Sequence, residues 1–224
     1  MRKNILNFLY AYKILAWIIP IFNYVIGQSR WKHKRNNLVS TSNANVYKTH
    51  IDFCRGIGNA IYVGNQSDLH CSTITIKGNN NVVYFGANSY INGINLIIEG
   101  DNNHVHIGNN VFILDDTRLY AVDGSKITIG DGCMLSDHIE IRTTDNHAIF
   151  DATGSRINFE QNVVLQEKVW LGTRTIVLKG VTLSKGVIVG AGSVVTRSIT
   201  TPYSIIAGNP AAIIKQNVTW TMSR

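Results

Sequence analysis

Acidic residues are absent from the start of this 224-residue chain: none precedes Asp52. The same stretch carries Arg2, Lys3, Lys13, Arg30, Lys32, Lys34 and Arg35. Removing these seven from the 21 basic residues leaves 14, equal to the 14 acidic ones, so the net charge of +7 belongs to the first 35 residues. Between the two basic clusters, Ile14 to Gly27 is uncharged and contains Trp17, Pro20, Phe22 and Tyr24. This run is too short to cross a bilayer, which takes about 20 apolar residues, and Pro20 would break it. Two readings remain for residues 1–45: contact with an anionic membrane surface, or a helical segment capping an open end of the fold. Val25-Ile26-Gly27-Gln28 lacks the small-x-small pattern of a cleaved leader. The apolar run between the clusters also argues against a nucleic-acid partner.

Cysteine is scarce. Cys54, Cys71 and Cys133 are odd in number and show neither CxxC nor Cys/His ligand spacing. That excludes a disulfide framework, leaves no evident metal ligands and fits a reducing, cytoplasmic setting. A peripheral position on the inner face of the cytoplasmic membrane is compatible with the basic amino terminus. Cys133 falls on a small-residue core position, where a packing role is expected.

Helical and simple strand periodicities are also lacking. In their place a bulky apolar residue recurs at every sixth position: Phe159, Leu165, Leu171, Val177, Leu183, Val189 and Val195. Two residues before each of the last six stands a small or branched one: Val163, Val169, Thr175, Val181, Val187 and Ser193. Earlier, Tyr62-Val63-Gly64, Tyr84-Phe85-Gly86, His106-Ile107-Gly108 and Thr128-Ile129-Gly130 are spaced by 22 residues, or three hexapeptides plus a four-residue insert. The six-residue steps there read Phe85, Ile91, Ile97; Ile107, Ile113, Leu119; Ile129, Leu135, Ile141. The inserts, such as Gly78-Asn79-Asn80-Asn81, are rich in residues that tolerate left-handed backbone, so they read as corner turns. This is the pattern of an all-β solenoid, a parallel β-helix of triangular section. About six coils are expected over 46–200, with a turn and tail at 201–224. A β-sandwich would not hold such register.

The pattern fails between Ile141 and Phe159, where positions 147 and 153 are His and Thr. The segment Thr143-Thr144-Asp145-Asn146-His147-Ala148-Ile149-Phe150-Asp151 reads as a polar excursion from a rigid prism. Histidine, with an ordinary pKa near ~6.5, can take a proton from an alcohol near neutral pH. Asp145 or a backbone carbonyl could fix its tautomer. The histidines at 33, 50, 70, 104, 106 and 138 read as surface or packed residues.

Asp145-x-His147, Val169-Trp170-Leu171-Gly172, Val177-Leu178-Lys179-Gly180-Val181, Val189-Gly190-Ala191-Gly192-Ser193-Val194-Val195 and Ala207-Gly208-Asn209-Pro210-Ala211 together resemble the hexapeptide acyltransferases. More narrowly, they resemble the bacterial sugar and polysaccharide O-acetyltransferases. The likeness is strong over 128–217, architectural over 46–127, and absent over 1–45. It implies left-handed coils, a homotrimer with sites in the clefts between prisms, and acetyl-CoA as donor. It also implies His147 as general base and Trp170 beside the thioester and acceptor. Donor contacts would fall at Trp170, Gly172, Thr173, Ala191, Thr196, Arg197 and Lys215, with Lys179 as a helper, and a backbone N–H near Gly172 or from a partner chain would stabilise the oxyanion. The family often has a cation after Asn-Pro-Ala, where this chain has Ala212. The expected activity is acetyl-CoA-dependent O-acetylation of a saccharide acceptor in cell-surface polysaccharide synthesis. The alternatives are N-acetylation of an amino sugar, a non-catalytic scaffold, and a zinc carbonic anhydrase, for which three placed histidines are missing.

Overall fold

An apolar side chain at every sixth residue can be buried only if successive strands face one shared interior. The computed structural model meets that condition over the residues it describes, 30–32 and 36–222. The helical segment expected near the amino terminus lies outside them. The described residues form strands and turns and no helix.

Each coil contributes one strand to each of three parallel sheets. The first two coils are β1 (Arg30–Lys32), β2 (Leu38–Thr41), β3 (Asn45–Tyr47), then β4 (His50–Arg55), β5 (Ala60–Val63), β6 (Asp68–His70). The third and fourth are β7 (Thr73–Lys77), β8 (Val82–Phe85), β9 (Tyr90–Asn92), then β10 (Ile94–Glu99), β11 (His104–Ile107), β12 (Phe112–Ile113). The fifth and sixth are β13 (Thr117–Val122), β14 (Lys126–Ile129), β15 (Met134–Leu135), then β16 (Glu140–Arg142), β17 (Val163–Leu165), β18 (Trp170–Leu171). The seventh is β19 (Ile176–Val177), β20 (Thr182–Leu183), β21 (Ile188–Val189). A partial eighth has β22 (Val194–Val195) and β23 (Ser204–Gly208), and β24 (Ala211–Gln216) folds back antiparallel on β23. The solenoid thus starts earlier than residue 46, because β2 is already in register with β5. The segment after 200 is a β-hairpin on the third sheet, not only a tail.

The interior is three stacked columns. On the first sheet Ile51, Ile74, Leu96, Leu119, Ile141, Val177 and Val195 lie in register, all buried. Phe85, Ile107, Ile129, Leu165 and Leu183 do the same on the second. Coils in a parallel sheet stack about 4.8 Å apart, so each residue touches its equivalents above and below. Polar ladders close the corners. Asn59, Asn81 and Asn103 each donate from Nδ2 to Oδ1 of the asparagine one coil below, at 2.9–3.0 Å. Two steps of the sequence pattern point elsewhere. Ile97 faces outward, because the six-residue β10 puts Leu96 and Ile98 inside. Phe159 is 58% exposed. Its apparent place in the series arises because 24 residues separate Ile141 from Leu165 where a plain step takes six. The extra 18 are three hexapeptides by length alone. Cys133 is buried, as expected, and burial pushes its thiol up to about 12, which leaves it unreactive.

Candidate active site

The 18 extra residues form an arm at the corner between the first and second sheets. Its neck is closed by Gln161 N–H donating to the carbonyl of Thr143 at 3.0 Å. Its tip is a hairpin in which Ile157 N–H donates to Ile149 O at 2.9 Å and Asp151 caps the turn through Thr153 and Ser155. Asn158, 9% exposed, braces the arm from within. Its amide donates to the carbonyl of His147 at 2.8 Å and to Asp145 Oδ2 at 2.9 Å, and its Oδ1 accepts from Ile149 N–H at 2.6 Å. His147 is therefore held by its backbone while its ring stays exposed, with no intrachain hydrogen bond among the described residues. This geometry suits a base whose proton comes from an incoming molecule.

Asp145 does not touch the imidazole. Its carboxylate pairs with Lys179 Nζ at 2.5 Å, and Lys179 donates further to the carbonyls of Asn158 and Phe159 at 3.0 and 3.1 Å. The Lys179 contact is the main cause holding the Asp145 carboxyl below its usual range, and the Asn158 amide adds to it. Both residues are thus fasteners of the arm's base. Lys179 is engaged there and is not free to meet a donor phosphate. Neither Asn158 nor this use of Lys179 was legible, because bonds inside an irregular loop have no period.

Trp170 lies on the outer face of the third sheet, half-buried, with Nε1 3.4 Å from Ser136 Oγ. That sheet is the side of the prism opposite the arm's corner, so a single chain does not bring His147 and Trp170 together. Trp170 begins its strand at the corner shared with the second sheet. The strand ends at the corner shared with the first sheet, where Gly172, Thr173 and Ala191 lie. Gly172 N–H already donates to Val189 O at 2.9 Å, so it is not an oxyanion donor. Its value is steric: a Cβ there would lie 2.8 Å from both Ala191 N and Val189 O. Thr173 Oγ1 is bound to the carbonyl of Asp137 at 3.0 Å. Ala191 is exposed, and its N–H makes no hydrogen bond among the described residues, which fits a backbone contact to a donor. Thr196 and Arg197 are exposed at the arm's corner, one coil above Lys179. Lys215 is exposed on β24 opposite Ile205. Sequence reasoning missed Trp220, whose ring centroid is 5.7 Å from that of Trp170 and whose Nε1 donates to Lys168 O at 2.8 Å.

A family model described as the hexapeptide repeat of succinyl-transferase matches residues 167–197. The solved structure of the polysialic acid O-acetyltransferase OatWY is 31% identical, with 88% of this chain and 91% of that one covered at a TM-score of 0.80. The chain belongs to the hexapeptide-repeat acetyltransferases. A second member of the family, the polySia-specific acetyltransferase NeuO, is 28% identical over 79% of this chain and 90% of its own, with a TM-score of 0.60. A polysialic acid O-acetyltransferase from Neisseria meningitidis is 61% identical over 82 residues, and that match spans 38% of its length and 36% of this chain. Membership makes this chain an acyltransferase. Among the described residues no group of His, Cys, Asp and Glu is arranged to hold a metal ion.

Proposed function

We propose that this chain transfers the acetyl group of acetyl-CoA to a hydroxyl of an acidic, polysialic-acid-like surface polysaccharide, acting as a homotrimer of left-handed prisms. The observation that carries the reading is the likeness to OatWY along nearly the whole chain, combined with His147 presented on an arm fastened by Asn158 and Lys179. His147 takes the proton of the acceptor hydroxyl as its oxygen attacks the thioester carbonyl, and returns it to the leaving thiolate. No acyl-enzyme is required. Because His147 and Trp170 sit on different sides of one prism, a complete site needs the arm of one protomer against the third sheet of another. Ala191 N–H, Arg197 and Lys215 are the groups left free to meet the donor. Asp145 acts at one remove, by fixing the arm. The confinement of the +7 charge to the first 35 residues supports placing the enzyme in the cytoplasm, against the inner face of the membrane.

The test is acetyl transfer from acetyl-CoA to purified polysialic acid, with the product followed by mass spectrometry before and after mild base. A base-labile acetyl group is expected. A base-stable one would turn the reading to N-acetylation, and no transfer to any acidic glycan would remove it.

A further inference from the structure

Trp220 does more than cover Trp170. It forms, with Lys168, Gly186, Tyr203 and Thr219, the wall of a cavity of about 260 Å³ at the corner between the second and third sheets. The cavity is built. Tyr203 N–H donates to Lys185 O at 2.9 Å and Trp220 Nε1 donates to Lys168 O at 2.8 Å, so both aromatic residues are tied to the prism, and Val218 N–H joins the tail to Tyr203 O at 3.0 Å. Tyr203 holds a positive φ of 52°, and its ring occupies the space a Cβ at Gly186 would need, 2.5 Å away. Tyr203 and Trp220 line it, with the exposed Lys168 beside them. The neighbouring carboxylate, Glu167, is neutralised by Lys185 at 3.2 Å, while no carboxylate pairs with Lys168 among the described residues.

We propose that this cavity is an acceptor subsite for one carboxylated sugar ring of the glycan, a proposal that rests on the acidic-polysaccharide reading above. Aromatic faces suit the C–H face of a pyranose, and Lys168 suits its carboxylate. The volume is below the ~300–1,000 Å³ of pockets that engulf drug-sized ligands, so it fits a single ring. Position decides between acceptor and donor. The free Ala191 N–H lies at the far edge of the third sheet, and Trp170 stands between that edge and this cavity. A sugar ring bound against Trp220 would therefore approach Trp170 from the side opposite the donor.

The experiment uses the full chain with Trp220→Leu and Lys168→Gln. The Kd of a short polysialic acid oligomer and of its carboxyl-reduced form is measured by NMR, without turnover, beside the KM for oligomer and for acetyl-CoA. Trp220→Leu should weaken the acidic oligomer about tenfold, and Lys168→Gln about three- to tenfold. Lys168→Gln and the parent should bind the reduced oligomer alike. An acetyl-CoA KM that rises while oligomer binding holds would assign the cavity to the donor and overturn the proposal. Unchanged values for both ligands would overturn it too, leaving a purely structural tail. Should Trp220→Leu fail to fold, the Lys168→Gln comparison alone decides, since an exposed ammonium is not needed for folding. Binding of the oligomer that depends on Lys168 without any transfer would sink the O-acetylation reading and keep the subsite.

Discussion

The side-chain amide of Asn158 donates to the main-chain carbonyl of His147 at 2.8 Å, eleven residues back along the same arm. The candidate base is thus positioned through its backbone. Asn158→Ala should leave the prism intact and lower kcat by about tenfold to a hundredfold, since displacement of a reacting group by about 1 Å can cost that much. Steady-state kinetics with circular dichroism checks this. A variant with parental kcat would mean the arm is held by other contacts.

His147→Ala should lower acetyl transfer by about two to four orders of magnitude, the usual weight of general-base catalysis. Sedimentation and thermal melting should match the parent, because the exposed ring makes no hydrogen bond among the described residues. Retention of more than about a tenth of the parental rate is incompatible with a lost base.

Lys179 and Arg197 sit one coil apart at the same corner, yet their loss should differ in kind. Lys179→Met removes the cation joined to Asp145 and to two carbonyls of the arm, so it should act on kcat and make the arm sensitive to protease at neutral pH. Arg197→Ala should raise the KM for acetyl-CoA, by an amount that shrinks as salt rises. Equal KM effects from both would return Lys179 to the donor side.

The same ion pair fixes a pH response. The Asp145 carboxyl is depressed by Lys179 first, so its contribution is complete above the ordinary carboxyl value of about 3.9 and is lost as pH falls through the lower folded value. Limited proteolysis between pH 7 and 3 should show the arm opening only below about pH 4. Opening at pH 5 to 6 would show that another group controls it.

Gly172→Ala should cost about 1–3 kcal/mol by overpacking, because the new Cβ meets backbone of the next coil and not a yielding side chain. Thermal melting of that variant beside Gly154→Ala, where nothing lies within 4 Å but φ is +82°, separates crowding from left-handed backbone strain.

The inward columns were legible because burial in a prism imposes a period on the sequence. The reading slipped where strand length or insertion length hides the facing. In β10, Ile94 to Ile98 offers four apolar candidates for the inward positions, and counting by six selects Ile97 where the pleat selects Leu96 and Ile98. His147 and Trp170 stand out in the sequence as candidates, the first as an interruption and the second inside a motif. What fastens them was not. Asn158 and Trp220 act through single hydrogen bonds across irregular backbone, and nothing in their local sequence sets them apart from any surface asparagine or tryptophan.

The arm's 18 residues leave from and return to the same corner, and the strands on either side pair as if they were not there: Glu140 with Ile176, Ile127 with Val163. Core and arm are therefore separate problems for selection. The prism answers to volume and register, while the arm answers only to its neck, its brace and whatever docks on Ile149, Phe150 and Ile157, each at least half exposed. A lineage could lengthen, shorten or exchange this segment to suit a new glycan without rephasing a single coil. Differences in acceptor between otherwise similar prisms should accordingly be written in the arm and in the carboxyl-terminal segment that carries Trp220, with the columns beneath them unchanged.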